Sequence, residues 1–443
     1  MNEKTNIIWI MVDQMRSQAM GCNGDPNAIT PNLDQMAQYG VNFRNAVGGF
    51  PLCCPYRGAL ISGVYPHKCV PGHEYPLSSE LPSVADVFNG NGYDTAYFGK
   101  WHLDGWHERD GRAALHVVPR DRRARFNTWL GYDNNNSQWD CYVHGHDEDG
   151  NEYEPYQLPG FETDCLTDML IDYLKVKVDK DQNFFAVLSV QPPHDPYTAP
   201  AEYMRNYNPA SLKLRPNVPC IPGVIDQARR ELAGYYALIE NIDMNVGRVV
   251  DALHALGIDE STQVIFFSDH GDMHGSHGQF RKMTPHEESI RVPFLMFGGR
   301  SKYNGRFSAF NHAPVNHVDV APTSLGLCGI EVPHWMEGYD YSAARINKGE
   351  LLDPPDSAYL QSVVPTGHGN SVDKPWRGIV TVDGWKYVCL ENCEWLMFNL
   401  NEDPYEQRNL THNSQYREKR RELMARLKKW VVDTDDNFKL PDV

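Results

Sequence analysis

The segment Asn6-Ile7-Ile8-Trp9-Ile10-Met11-Val12 decides the fold, because it is almost wholly apolar and runs directly into the polar pair Asp13-Gln14. A strand buried on both faces of a parallel sheet has such a continuous apolar run, without the alternation of a half-exposed strand. The segment therefore predicts a central strand of a parallel sheet. In open α/β sheets the ligand lies beyond the carboxyl ends of the strands, so Asp13 and Gln14 are candidate site residues.

Similar apolar runs recur along the chain and alternate with helical patterns. Further strands are predicted at Val41–Val47, Asp94–Gly99, Asn183–Val190, Gln263–Phe267 and Val292–Phe297, and helices at Leu81–Asn91, Asp164–Val176 and Asp226–Leu256. This alternation predicts an α/β protein with a mostly parallel central sheet. Residues 104–160 are too polar for a core and are predicted to form a long functional loop or insertion.

The pattern changes near residue 355, after the polar segment Asn347–Pro355. Beyond it, the strand pattern Trp395–Leu400 and the charged helix pattern Ser414–Val432 predict a smaller α+β unit with an antiparallel sheet. We therefore predict a catalytic domain over residues 1–355 and a C-terminal subdomain over residues 356–443.

The charge of the chain limits its partners. A net charge of −17 and a pI near 5.5 argue against nucleic acid and against an anionic membrane surface as partners, but a local cationic pocket could still bind a small anion.

No segment approaches the roughly 20 apolar residues of a membrane span, and the ten cysteines lack a metal or disulfide spacing. The start, without a signal peptide, predicts a cytoplasmic protein; a periplasmic chain trimmed of its export signal would read the same way.

A reactive stretch follows in Pro51–Gly63, which contains Cys53-Cys54-Pro55-Tyr56-Arg57. The run Arg57–Ile61 favours a helix that Pro55 could begin, which would place Cys53 just before a helix N-terminus. Free N–H groups and the helix dipole favour an anion there and lower the pKa of a thiol. Arg57 could bind a tetrahedral oxyanion. Vicinal cysteines are as often simply buried, so two interpretations stay open for this stretch alone.

Several polar groups follow the predicted strands, and together they predict one site. They are Asp13 and Gln14, Lys100 and His102, His194, and Asp269 and His270. Each alone has an ordinary structural explanation, as a turn or cap residue. The set Asp13, Gln14, Asp269 and His270 offers mainly hard oxygen donors, which suit Ca²⁺, Mn²⁺ or Mg²⁺ better than a thiolate-bound Zn²⁺. A glycine-rich segment after Asp269 leads to Lys282.

Six motifs in order resemble those of the formylglycine-dependent sulfatases of the alkaline phosphatase superfamily. They are Cys53-Cys54-Pro55-Tyr56-Arg57 (C-x-P-S-R), Gly99-Lys100-Trp101-His102, Gln191-Pro192-Pro193-His194, Ser268-Asp269-His270-Gly271-Asp272, Lys282 through Arg291-Val292-Pro293, and Phe398 through Asp403-Pro404-Tyr405-Glu406. The resemblance covers nearly the whole chain. It implies an alkaline-phosphatase-like three-layer sandwich.

The resemblance also implies a cofactor and residue roles. Cys53 would be converted to formylglycine by a maturating enzyme and would share one divalent cation, Ca²⁺ or alternatively Mn²⁺, with Asp13, Gln14, Asp269 and His270. Arg57 would stabilise the nucleophile, His102 would handle its proton, Lys100 and Lys282 would hold the sulfate, and His194 would be the general acid.

Three functional hypotheses remain at this point. The first is hydrolysis of a sulfate monoester on a small molecule or oligosaccharide, with the segment His107–Glu154 contacting a sugar. The second is a phosphonate monoester or phosphodiester hydrolase, because Gln14 and His270 depart from many arylsulfatases, as Tyr56 departs from the usual serine. The third is an inactive ligand-binding homologue in which Cys53 is never converted. A homo-oligomer is compatible with all three.

Overall fold

The structure is a computed structural model that describes residues 5–107, 111–299, 309–346, 351–367 and 372–442. Its strands are β1 (Asn6–Val12), β2 (Val41–Phe43), β3 (Asp94–Lys100), β4 (Thr128–Tyr132), β5 (Tyr142–His146), β6 (Glu152–Gln157), β7 (Phe184–Val190), β8 (Thr262–Ser268), β9 (Phe294–Gly298), β10 (Ala309–Asn311), β11 (Ser357–Ser362), β12 (Trp376–Thr381), β13 (Trp385–Leu390) and β14 (Cys393–Asn399). Its α-helices are α1 (Pro31–Tyr39), α2 (Cys53–Ser62), α3 (Val84–Gly90), α4 (Glu162–Asp179), α5 (Ala201–Met204), α6 (Pro222–Ala255), α7 (Glu287–Ile290), α8 (Val320–Leu327), α9 (Ala343–Ile346) and α10 (Arg417–Asp433).

The larger sheet has the strand order β10-β2-β9-β8-β1-β7-β3-β4-β5-β6. Its five central strands, β8-β1-β7-β3-β4, are parallel neighbours, whereas β9 on one side and β5 and β6 on the other are antiparallel. The mostly parallel α/β architecture is thus confirmed. The carboxyl ends of β1, β3, β7 and β8 lie side by side at one edge.

The position of β1 in the sheet explains why its sequence does not alternate between apolar and polar residues. Ile8, Ile10 and Val12 pack into a core on the face that includes residues of α4 and α6, whereas Trp9 and Met11 pack into a second core with residues of α2 and α8. Both faces of the strand are therefore covered by helices. Burying a side chain of this size stabilises the fold by roughly 1.5–3 kcal/mol, so a polar residue is disfavoured at every position from Ile7 to Val12.

The prediction for residues 104–160 was wrong in part, because this region contains three strands that extend the sheet. Strand β4 pairs in parallel with β3, and β5 and β6 follow as antiparallel strands. Strand β6 has the sequence EYEPYQ and is almost fully exposed, so no hydrophobic face revealed it. The strand predicted at Val41–Val47 is shorter, ending at Phe43.

The smaller sheet is an antiparallel meander in the order β11-β12-β13-β14, and α10 contributes Leu423, Leu427 and Val431 to the core beside it. This agrees with the antiparallel sheet and helix expected after residue 355. Of the linker predicted at Asn347–Pro355, residues 347–350 lie outside the described residues, and the domain boundary remains a prediction. Among the described residues, no helix combines the length and apolar character that a membrane span requires.

A buried lysine joins the smaller sheet to helix α7. Lys386 of β13 is fully buried, and its Nζ lies 2.6 Å from Glu406, 2.8 Å from Glu287 of α7 and 2.8 Å from the Pro285 carbonyl oxygen. Removing one partner of a buried ion pair leaves the remaining charge uncompensated, which lowers the free energy of unfolding by about 3–5 kcal/mol. We expect Lys386→Met to lower the free energy of unfolding by about that amount, measured by urea denaturation.

The control for this prediction is Lys429→Met. Lys429 forms an exposed ion pair with Asp433 in α10, and surface substitutions of this kind usually change stability by less than about 0.5 kcal/mol. Equal effects of the two substitutions would contradict the role given to Lys386.

Candidate active site

The predicted polar groups meet at the carboxyl edge of the large sheet. Asp13 follows β1, Lys100 ends β3, His194 follows β7 and Asp269 follows β8. Because these four strands are neighbours, their ends deliver the side chains to one buried pocket. The convergence expected from the sequence is therefore present.

Cys53 reaches this pocket as the first residue of α2. The prediction that Pro55 begins the helix and that Cys53 lies just before it was wrong, because the helix begins at Cys53. Pro55 is accommodated in the first turn, where N–H groups need no helical partner. The Cys53 Sγ lies 3.2 Å from His270 Nε2 and 3.5 Å from Asp13 Oδ1. Cys53 is 2% exposed, and every residue of α2 is buried.

Arg57 lies one turn into α2 and ties this helix to the strand ends. Its Nη2 donates to Asp13 Oδ2 at 3.2 Å and lies 3.5 Å from Asp269 Oδ2. Its Nη1 donates to the Lys100 carbonyl oxygen at 2.8 Å and to Ser189 Oγ at 2.9 Å. The guanidinium therefore positions both carboxylates.

Asp13 is the electrostatic centre of the pocket. Lys100 Nζ lies 2.8 Å from its Oδ2. Burial would raise the pKa of Asp13, but the charges of Lys100 and the neighbouring His and Arg side chains hold it well below its ordinary value. Burial likewise favours neutral Lys100, and the Asp13 carboxylate reverses this effect and raises the lysine pKa. Both groups are therefore charged at neutral pH.

Four side chains in the pocket are arranged to hold a cation. One donor atom each from Asp13, Cys53, Asp269 and His270 lie within 4.8 Å of one another. The His270 Nδ1–H group donates to the Gly271 carbonyl oxygen at 3.0 Å, which leaves Nε2 for a ligand. Asp269 Oδ2 is buried without a hydrogen-bond partner. Ligands on Ca²⁺ lie at about 2.3–2.6 Å, so opposite ones are about 5 Å apart, and the donors fit such an ion.

Lys282, Gln14 and His194 form a second group against Cys53. Lys282 Nζ lies 3.7 Å from Cys53 Sγ and 2.8 Å from His194 Nε2, and it donates to Gln14 Oε1 at 3.0 Å. Burial and the Lys282 charge lower the pKa of His194 to about 3. The imidazole is therefore neutral, with Nδ1–H donating to the Asp195 carbonyl oxygen and Nε2 accepting from Lys282.

His102 lies at the border of this pocket. It is 5% exposed and has a left-handed backbone conformation, with φ 56°. Its ring lies edge-on to that of His73, with centroids 5.7 Å apart, and its Nδ1 is buried without a hydrogen-bond partner. His73 was not identified from the sequence, because only the folded chain brings it to His102.

The sequence also failed to identify the residues that fix Gln14. The Gln14 amide group donates to Asp272 Oδ2 at 2.7 Å and to the Tyr197 hydroxyl at 3.1 Å. Tyr197 donates in turn to Asp272 Oδ2 at 2.7 Å. The amide oxygen of Gln14 is thereby directed at Lys282. The second aspartate of the Asp269-His270-Gly271-Asp272 motif was the available signal.

Glu162, the first residue of α4, is a buried acid close to the site. Its Oε1 accepts hydrogen bonds from the Tyr132 hydroxyl at 2.5 Å and from the Gln191 backbone at 2.7 Å. Burial raises the pKa of Glu162 to about 7 from an ordinary 4.5. The folded protein therefore keeps a proton that the unfolded chain releases between these two pH values.

This difference predicts a pH-dependent stability. Since the folded state binds the extra proton, the contribution of Glu162 to the free energy of unfolding falls as pH rises from about 4.5 to about 7. We expect Glu162→Gln to gain stability relative to the wild type between pH 5 and pH 8, by on the order of 3 kcal/mol at most. Denaturant titrations at both pH values measure this gain. The exposed Glu202→Gln should show none, and an equal gain there would contradict the assignment.

Comparison with known proteins agrees with this geometry. Residues 5–330 match the family model described as sulfatase, and residues 275–433 match the C-terminal model of N-sulphoglucosamine sulphohydrolase. An ulvan-active sulfatase of Formosa agariphila is 36% identical to this chain, over 99% of this chain and 83% of its own length.

Two solved structures share the fold. A protein solved in complex with its substrate D-glucosamine-2-N,6-O-disulfate has a TM-score of 0.85 at 22% identity, with 98% of this chain and 99% of that chain covered. The phosphonate monoester hydrolase of Agrobacterium radiobacter has a TM-score of 0.77 at 21% identity, with 97% and 96% covered. The fold is thus the alkaline-phosphatase-like fold of the sulfatases. Together with the family match, this shows that the chain belongs to the sulfatase family and is a sulfuric ester hydrolase.

Proposed function

We propose that this enzyme hydrolyses a sulfate monoester carried by a carbohydrate, with Cys53 in its formylglycine form and one divalent cation. The observation that carries the proposal is the placement of Cys53 Sγ within 3.7 Å of Asp13, which follows β1, and of His270 and Lys282, which lie between β8 and α7. A side chain that lies beside the Lys282 ammonium group and a carboxylate-rich cation site is suited to attack on an anionic ester.

Asp13, Asp269, His270 and the side chain at position 53 would hold the cation. Its donors are mainly carboxylate oxygens, which favours Ca²⁺, with Mn²⁺ as the alternative. When bound, the cation would supply positive charge that lowers the pKa of a hydroxyl on residue 53. Gln14 is the fifth proposed ligand; its Oε1 would have to exchange the hydrogen bond from Lys282 for a metal contact.

Formylglycine at position 53 would supply, as its hydrate, two hydroxyl groups on one carbon: one to attack sulfur and one to release sulfate afterwards. A thiol cannot provide both. The position at the helix start favours this chemistry, since the unpaired N–H groups of the first turn and the helix dipole stabilise negative charge there. A maturating enzyme is therefore a proposed partner.

The remaining residues divide into anion binding and proton transfer. Lys100 and Lys282 would bind the sulfate oxygens, and Arg57 would orient Asp13 and stabilise the nucleophile. His102 would accept the proton of the second hydroxyl. His194 would protonate the leaving alcohol. Burial and the Lys282 charge lower its pKa to about 3 in the free enzyme, so an anionic ester that offsets the Lys282 charge would raise this pKa on binding.

A carbohydrate substrate is supported by the similarity to the ulvan-active sulfatase and by the segment between His107 and Glu154, of which residues 108–110 lie outside the described residues. Gln138 of this segment donates to the His194 carbonyl oxygen at 3.0 Å, and Asn136 accepts from Gln191 at 2.9 Å. Its polar side chains therefore adjoin the turn that carries His194. Hydroxyl-rich ligands suit such a surface.

A substrate comparison tests the proposal. Purified enzyme, with conversion of Cys53 measured by mass spectrometry of its peptide, is assayed with nitrophenyl sulfate, a nitrophenyl phosphonate ester and a panel of sulfated mono- and oligosaccharides. We expect kcat/KM to be highest for a sulfated sugar. Preference for the phosphonate ester would support the second hypothesis, which shares the fold, and an unconverted Cys53 in protein from its native source would support the third. A cytoplasmic location remains a prediction.

A further inference from the structure

A second cluster of candidate metal-binding side chains adjoins the first in sequence. Donor atoms of Cys54, His73 and His102 lie within 4.8 Å of one another. Cys54 follows Cys53 in α2, and its Sγ lies 3.9 Å from His73 Nδ1. The two clusters share no residue, so a metal could occupy each.

The donors of this cluster differ from those of the first site. One thiol and two imidazoles form a soft set that selects zinc over calcium. In a tetrahedral zinc site a sulfur and a nitrogen ligand are about 3.5 Å apart, given bond lengths of about 2.3 and 2.0 Å. The observed Cys54–His73 distance of 3.9 Å exceeds this by little, so small side-chain rotations would complete the geometry.

Access to the cluster and the protonation of its donors both bear on ion binding. Burial raises the pKa of the Cys54 thiol well above its ordinary value, so this thiol would lose its proton only as the ion binds. Cys54 is fully buried and His102 is 5% exposed, with its Nδ1 lacking a hydrogen-bond partner, whereas the His73 side chain is 25% exposed. An ion could therefore enter past His73 and reach two buried donors. Burial lowers the pKa of His73 to about 4 and holds that of His102 well below its ordinary value, so both rings are neutral and can ligate.

We propose that Cys54, His73 and His102 form a zinc site, and that zinc bound there inhibits the enzyme by immobilising His102. Binding replaces the Cys54 S–H bond with an S–Zn bond and releases the proton to solvent, with no change of oxidation state. The fourth position is left for water. The binding part stands independently, whereas the inhibition part rests on the proton-transfer role proposed for His102.

Cobalt(II) absorption tests the binding part without any assay of activity. The protein is first saturated with Ca²⁺ and then titrated with Co²⁺, which gives a thiolate charge-transfer band and tetrahedral visible bands when one thiolate and two imidazoles bind it. Cys53→Ala removes the neighbouring thiol. We expect the bands in Cys53→Ala and their loss in Cys53→Ala/Cys54→Ala. Absence from the single variant, or persistence in the double variant, would overturn the site.

Zinc inhibition of the converted enzyme tests the second part. We expect micromolar zinc to lower kcat in the presence of Ca²⁺, and Cys54→Ala or His73→Gln to raise the concentration for half-inhibition at least tenfold, each variant being compared with its own zinc-free rate. His73→Gln, at the more exposed position, serves if Cys54→Ala folds poorly. Cys165→Ala is the matched control, outside the cluster. Unchanged inhibition in both cluster variants would refute the proposed mode of inhibition, whatever the result with cobalt.

Discussion

Replacing Cys53 by serine is expected to lower steady-state turnover by at least about 10⁴-fold, the scale seen when the nucleophile of a covalent mechanism is removed. A serine hydroxyl at the start of α2 could still attack the sulfate ester and release the alcohol. It would then be esterified, with no second hydroxyl on the same carbon to expel sulfate. The variant should complete one turnover per molecule and stop.

Two measurements distinguish this outcome from simple loss of the fold. Mass spectrometry of the Cys53→Ser peptide should show the serine intact before substrate is added and sulfated afterwards. Rapid-quench assays should give a burst of alcohol equal to the enzyme concentration. Cys54→Ser, at the adjoining position, should retain activity within about tenfold. Continuous turnover by intact Cys53→Ser protein would exclude the proposed mechanism.

The second large effect is expected from Lys282→Met, which should lower kcat/KM by about 10²–10³-fold, as for loss of one preorganised electrostatic contact in an active site. Lys282 Nζ lies 3.7 Å from Cys53 Sγ and 2.8 Å from His194 Nε2. No other described side chain of the pocket contacts both groups through a charged nitrogen. Lys282→Arg, which keeps the charge, should recover part of the loss.

The same substitution should alter the titration of His194. Burial is the largest cause of its low pKa and the charge of Lys282 is the second, so removal of that charge should raise the pKa above about 3 while burial keeps it below the ordinary 6.5. NMR titration of the histidine signals in the free enzyme measures this shift. An unchanged His194 pKa would show that the lysine does not govern this imidazole and would leave the activity loss without its proposed cause.

The sequence predicted the centre of the site well for a physical reason. Asp13, Lys100 and Asp269 lie at or directly after the end of an apolar run, and His194 follows one within a short turn. Parallel strands deliver their carboxyl ends to one edge whatever their exact order. The motif resemblance then added Cys53, which no periodicity could place at that edge. The convergence of the side chains at the ends of these strands was thus predictable from the apolar runs alone.

The contacts made by loops could not be predicted in this way. Tyr197 reaches Asp272 across 75 positions of sequence, and His73 reaches His102 through a turn whose path no local pattern specifies. Strand β6 was missed because it is a polar edge strand that buries almost nothing. In each case the information lies in tertiary packing rather than in the periodicity of one segment.

The burial of α2 has a consequence for biosynthesis. Cys53 is 2% exposed and every residue of α2 is buried. The proposed maturating enzyme could therefore bind this side chain only before the polypeptide folds. The proposed conversion of Cys53 would therefore compete with folding of the nascent chain. A molecule that folds before conversion would keep an unmodified Cys53 thiol. Slower synthesis should therefore increase the fraction of protein with converted Cys53, whereas adding the maturating enzyme to folded protein should not.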